Sequence, residues 1–449
     1  VAPDRKLLPD LAAFITALRA RDLDAATIDA VKLHGFDALG SACAGAATSE
    51  IGITRDALLR AAFLTPPKSI LDHPGCAAAI LVTACRLTEC DDIHIGTCTT
   101  PSSVVVAVAL VAGYVTKASQ ETILEGIIAG YQTMITLGLA ANGAEIIYRG
   151  IWPTYLTGGI TAAAIAGKVM GLTERQIRDA MAIAAAGATG VTGRIEEEPA
   201  PRWLVLASAM QSGLLAASAA ERGMHGDEAI LGKVSPAWNP ETLKLPEEAS
   251  PGAPLHLHRI GFKPYCTSRQ GLSATEAFIQ AMREEKLEPR AIDKITVAVP
   301  QHYRAMIDRT NRPKTKSESR SIHYQLALGA LYPDELCDIE RATLHTDDPA
   351  VLHILDRVEV VASERLTKLY PQQWGGAVKI AVGAKSYERE VLHPRGDPEN
   401  PLSWDAIAAK LQTMSRYVSR PIPVPELTRQ VQALDFSACL ETLLERSEA

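Results

Sequence analysis

The stretch GFKPYCTSRQ, residues 261–270, carries Lys263, Tyr265, Cys266 and Arg269 within seven positions and no acidic residue. Two cations beside a phenol are side chains that hold an anion. A lysine in a partly dry cleft among other cations has a lowered pKa and can act as a base. A second group, DDIH at 91–94, sets Asp91 and Asp92 ahead of His94. Such carboxylates either orient an imidazole or a substrate group, or they cap a helix and form an ion pair. HLHR at 256–259 puts His256 and His258 on one side of an extended segment, with no third metal ligand in view. There is no GxGxxG, GxxxxGK[ST] or HExxH, so nucleotide and zincin chemistry lack support. No metal is expected.

These residues need a large scaffold, and 449 residues are enough for two or three domains. Hydrophobic residues make up 47% and aromatics only 5%, so the core must be built from Ala, Leu, Ile and Val. The net charge of −7 lacks the basic face of a general nucleic-acid binder. The eight cysteines include no CxxC and read as small apolar residues in a reducing compartment. The first residues are charged throughout, unlike a signal peptide, and the apolar run at 104–115 is too short to span a bilayer. A cytoplasmic protein is expected.

Residues 1–235 read as successive helices, several apolar nearly all round and therefore central. After about 290 the pattern changes. DKITVAVP alternates Ile295, Val297 and Val299 as a strand does, and RVEVVAS and AVKIAVGAKSYEREVLH follow suit. Helices are expected near 272–286 and 321–332, and Ser403 as an N-cap with Asp405 in the first turn. The fold class is multidomain α and α+β. A large all-α domain, 1–265 rejoined by 400–449, receives an inserted α+β lid domain at 266–399. The cationic stretch then lies at a seam, where ligand clefts form. The acidic EEEP at 196–199 reads as a solvated loop or flap, and 311–320 as a basic lid loop or plain surface.

Six stretches in order resemble the MmgE/PrpD family: DDIHIGTCTTPSSVVVAVALV at 91–111, YRGIWPTYLTGGITAAAIAGKVMGL at 148–172, SAMQSGLLAASAAERGMHG at 208–226, FKPYCTSRQGLSATEAF at 262–278, SRSIHYQLALGAL at 319–331 and GDPENPLSWDAIAAKL at 396–411. The resemblance implies a helical domain with an α+β lid, a homodimer, and dehydratase, decarboxylase or epimerase activity without a cofactor. Lyase members typically carry histidine where this chain has Thr100, Trp152 and Leu272. They carry Lys or Arg before a Leu-His pair where it reads Arg202, Trp203, Leu204, Val205.

Abstracting a proton next to a carboxylate needs a base and stabilisation of the enolate. Elimination also needs an acid, which those histidines would supply. Epimerisation needs only two proton carriers on opposite faces of one carbon, with cations to hold the carboxylates. Lys263 and Tyr148 are the expected pair, with His94 as an alternative base. Arg149, Arg202 and Arg269 are expected to clamp carboxylates in bidentate fashion, helped by Tyr265, Asp91 and Asp92. The ordinary readings are that Lys263 only binds a carboxylate and that Tyr148 is a helix-end aromatic. The expected activity is inversion of an α-carbon in an iminodisuccinate-like polycarboxylate. The alternatives are a hydro-lyase of the 2-methylcitrate dehydratase type and a non-catalytic carboxylate-binding paralogue. The partner is thus a small polycarboxylate, without nucleic acid or membrane.

Overall fold

The computed structural model describes residues 7–62, 69–192, 202–231, 255–309, 321–340, 345 and 347–447. The loops expected at 196–199 and 311–320 lie outside them. The described residues fall into two compact units: one takes in those up to 260 and those from 422, the other 261–421.

The described residues of the first unit form helices, with two isolated β-bridges and no strand: α1 (Leu7–Ala17), α2 (Ala25–Gly45), α3 (Ser49–Ala62), α4 (Pro74–Leu87), α5 (Pro101–Thr116), α6 (Gln120–Ala140), α7 (Gly143–Ile146), α8 (Pro153–Val169), α9 (Glu174–Ala186) and α10 (Arg202–Glu221). Prolines open α4, α5 and α8, where a missing N–H costs nothing. Ser119 caps α6, and a Thr173/Gln176 capping box opens α9. The centre is α8, buried at every residue and packed against α5, α6, α9 and α10. Small residues bring the helices close. A methyl group on Gly213 of α10 would stand 2.3 Å from the Gly159 carbonyl oxygen of α8, so only glycine fits there. Length and composition alone would let α6 and α10 cross a bilayer, which the run at 104–115 did not foreshadow. The apolar window of α6 is 89% buried inside the protein, where it packs as a core helix against α5 and α8; that of α10 is 39% buried.

The second unit comprises α11 (Arg269–Glu284), β1 (Lys294–Val299), α12 (Arg304–Ile307), α13 (Ile322–Leu331), α14 (Pro349–Leu355), β2 (Val358–Ala362), α15 (Glu364–Leu369), β3 (Gly376–Val382), β4 (Lys385–Val391) and α16 (Trp404–Met414). The sheet order is β2-β1-β3-β4, with β2 parallel to β1 and the other pairs antiparallel. Ile295, Val297 and Val299 are fully buried, as their alternation requires, and Val297 pairs with Val378. Helix α11 covers β3 and β4 and packs on α13. Ser403 caps α16 by accepting from Ala406 N–H. The fold is therefore a helical domain plus an α+β domain. The chain rejoins the first unit at 422, through α17 (Val424–Gln432) and α18 (Phe436–Ser447), rather than from 400. Helix α16 stays with the second unit, where Lys410 Nζ donates to the Lys263 carbonyl at 3.1 Å.

Candidate active site

In the first unit, chemistry-bearing groups collect where helices begin. Thr100 precedes α5 and Thr154 opens α8. Thr154 Oγ1 accepts from Thr100 N–H at 3.0 Å, and the two hydroxyls lie 3.1 Å apart. Trp152, the N-cap of α8, stacks on Tyr155 with centroids 5.7 Å apart. Arg202, at the start of α10, lies 5.9 Å over Trp152 and 4.0 Å over Trp203. Thus α5, α8 and α10 direct their N-terminal ends, with their partial positive charge, toward one neighbourhood.

The side chains there are short of acceptors. Among the described residues, Arg202 Nη1, Tyr155 Oη and Trp152 Nε1 are buried atoms without a hydrogen-bond partner. Their residues are 6%, 2% and 8% exposed. Buried donors left unmade cost free energy, so such a group invites an acceptor. Burial raises the pKa of the Tyr155 phenol, with Arg202 and Arg86 acting in the opposite sense. It remains a donor at neutral pH.

An ion chain supports this corner. Arg86, at the end of α4, donates through Nη1 to both Asp91 oxygens. Its Nη2 lies 3.9 Å from Glu89, whose other oxygen is 3.3 Å from Arg202 Nη2. Burial opposes the Arg86 charge, but Asp91 and then Glu89 outweigh it and raise its pKa. Glu89 and Cys98, in the loop joining α4 to α5, both adopt left-handed backbone, which non-glycine residues hold only when the surroundings enforce it. Asp91 and Arg202 are therefore brought together, through Arg86 and Glu89. The spacing from Arg86 to Asp91 and the Trp152/Tyr155 pair three apart were visible in the sequence and were missed.

Asp92 has a different task. It accepts from Ser102 N–H at 3.1 Å and from the Ser102 hydroxyl, and so caps α5. His34 Nδ1 lies 3.1 Å from it, and Ser102 Oγ is 2.7 Å from the Tyr131 hydroxyl. Asp92 is thus part of a buried helix-capping network, its ordinary reading. His94 is oriented by Thr97, whose Oγ1 is 3.0 Å from Nδ1, rather than by either aspartate. Burial, then His256 and Arg259, lower the His94 pKa to about 3, so the ring is neutral at physiological pH. Its ring centroid is 6.4 Å from that of His256. His256 and His258 lie on a 3-10 turn rather than an extended segment, and they diverge: His258 Nε2 is 3.2 Å from Thr27 Oγ1. Tyr148 and Arg149 lie on a 3-10 turn ahead of α8. Tyr148 is half-buried and Arg149 exposed, so a carboxylate at Arg149 would stay hydrated.

In the second unit, Lys263 is 2% exposed. Arg269 clamps a carboxylate of its own chain. Its Nη2 donates to both Asp397 oxygens at 2.8 and 2.6 Å, and its Nε to Oδ1 at 3.2 Å. Its Nη1 donates to Ser273 Oγ and to the Trp374 carbonyl, both at 3.3 Å. That employs all five N–H donors of a guanidinium. The expected substrate clamp is here a structural one. Burial, then Glu276, push the Tyr265 phenol well above its ordinary pKa. His393, Asp397 and Glu399 bring three ligand-type atoms together, but the Arg269 guanidinium already occupies Asp397 and competes with any cation. All eight cysteines are buried and none forms a disulfide.

The MmgE/PrpD N-terminal domain model matches residues 9–235, and the MmgE/PrpD C-terminal domain model matches residues 265–431. The chain belongs to the MmgE/PrpD family. No curated protein matches it. In this MmgE/PrpD chain the C-terminal match covers most of the α+β unit and runs on into α17 of the helical unit, and the Arg202, Tyr155 and Trp152 donors lie within the N-terminal match.

Proposed function

We propose that the protein is a cofactor-independent epimerase that inverts the α-carbon of a carboxylate by proton transfer, with iminodisuccinate-like polycarboxylates as the first compounds to try. The observation that carries the reading is the chemistry at Thr100 and Trp152, where the family's lyases typically carry histidine. The Thr100 hydroxyl is engaged with Thr154, and Trp152 is stacked on Tyr155. Neither can protonate a leaving group. The Arg202 corner supplies donors for a carboxylate and for the enolate that proton loss creates.

The second reading, a hydro-lyase, is favoured by the His94–His256 pair, which offers imidazoles in a family that uses them. Proton NMR in D₂O separates the two, with citrates, N-substituted aspartates and iminodisuccinate stereoisomers as substrates. Deuterium entering at the α-carbon with interconversion of stereoisomers, and no vinyl signal, is the expected result. Vinyl protons would overturn it in favour of the hydro-lyase. Binding without any exchange would leave a carboxylate-binding paralogue. Lys263→Ala then tests whether the second unit supplies a base: loss of exchange by orders of magnitude in a folded variant makes Lys263 chemical. The proposal includes a homodimer. The apolar window of α10 is only 39% buried, with Leu204 and Leu215 exposed, and a second copy would cover that face; Leu215→Lys with sedimentation velocity tests it.

A further inference from the structure

We propose that the cavity between α8, the end of α9 and α10 holds the aliphatic body of a carboxylate whose head meets Arg202, Tyr155 and Trp152. The cavity measures about 390 Å³ and lies wholly within the helical unit. Gly159, Ala184, Ala188, Leu204, Val205 and Ala209 form the apolar half of its lining; the aliphatic hydroxyls that line it belong to exposed Thr189 and Ser208 and half-buried Ser212. Glycine and alanine leave the room, and leucine and valine make it apolar. Tyr155 is where the cavity meets the polar corner: it lines the cavity, stacks on Trp152, and carries one of the three orphaned donors.

The head group follows from those donors. Arg202 contributes a charge, Tyr155 and Trp152 contribute neutral hydrogens, and α8 and α10 begin beside them. An anionic acceptor satisfies all of these, and an ammonium none. The body follows from the wall. A second carboxylate placed against buried Gly159 and Ala184 would lose its water and find no side-chain donor on either, whereas methylene groups lose nothing there. The ligand class is thus a carboxylate with one apolar arm. The inference rests on the carboxylate-handling reading for the charge of the ligand and goes beyond it in naming the arm.

The test is calorimetric titration of the whole chain with straight-chain carboxylates from acetate to octanoate, and with alkylamines of the same lengths. Affinity should rise about fourfold per methylene until the cavity is full, and the amines should not bind. Ser208 lines the cavity and is solvent-exposed, so Ser208→Phe fills space without disturbing the fold. It should abolish the dependence on chain length, weakening octanoate far more than acetate. Tyr155→Phe should weaken every carboxylate by roughly tenfold, the loss of one hydrogen bond to a charged group. The inference is overturned by an affinity flat with chain length, by equal binding of amines, by a length dependence that survives Ser208→Phe, or by no carboxylate binding. Deuterium exchange is scored separately. Exchange with a flat series would sink the apolar arm and spare the epimerase reading, and a rising series without exchange would do the reverse.

Discussion

Arg202 and Arg269 both occupy motif positions, both are buried, and both lie near a tryptophan ring. They differ in what their hydrogens do. Arg269 spends five donors on Asp397, Ser273 and the Trp374 carbonyl, all inside the second unit. Arg202 lies 3.3 Å from Glu89 through Nη2, and among the described residues its buried Nη1, like Tyr155 Oη and Trp152 Nε1 beside it, has no acceptor. An arginine's position in a motif does not reveal its employment; an account of its five hydrogens does. The same contrast separates Asp92, committed to capping α5, from the donors beyond the start of α8.

Arg269→Ala gives the largest expected effect. It leaves Asp397, 2% exposed, as a buried carboxylate without its partner. The loss should be about 3–5 kcal/mol, read from urea unfolding of the second unit. Arg202→Met should cost about 1 kcal/mol or less, because Glu89 keeps Arg86 beside it. Equal losses for the two variants would break the comparison. It would then be wrong to call one arginine structural and the other available.

The next effect is a pH dependence in the first unit. The pKa of His94 falls from 6.5 to about 3 on burial. Below 6.5 the unfolded chain takes up a proton that the folded ring refuses. The stability from a neutral His94 is therefore fully present above pH 6.5 and is lost as pH falls toward 3. Between pH 8 and 5 the loss amounts to about 2 kcal/mol. His94→Gln should flatten that window when unfolding free energies are measured across it. An unchanged slope would mean that the imidazole is hydrated and less buried than its 5% exposure implies.

Much of the fold was legible because it is local. Ile295, Val297 and Val299 alternate within a single strand, and Ser403 caps a helix from one residue outside it. Composition also told: with few aromatics, α8 and α10 must approach through Gly159 and Gly213. The employment of Arg269 was not legible, since its partner Asp397 is 128 residues away and no spacing rule links them. Asp92 was readable as a cap only in part, because its target Ser102 belongs to the next helix. Tyr155 was not singled out in the sequence. Its role depends on an absence, a hydroxyl without an acceptor, and a sequence shows residues but not which of them lack partners.

Tyr155→Phe has the smallest expected effect on stability, and its sign is informative. In most buried sites, removing a tyrosine hydroxyl breaks a hydrogen bond and destabilises. Here the hydroxyl has no partner among the described residues at 2% exposure, and the stack on Trp152 survives in phenylalanine. The variant keeps the packing and sheds a buried group that has lost its water. The ligand-free protein should therefore become more stable by up to about 1 kcal/mol. The same change should weaken carboxylate binding, so stability and affinity move in opposite directions. Thermal unfolding with and without carboxylate reads both in one experiment: the ligand-free midpoint rises and the ligand-induced increment shrinks. A ligand-free midpoint that falls would show that the hydroxyl already has an acceptor. Arg202 and Tyr155 would then belong with Arg269, as parts of the frame.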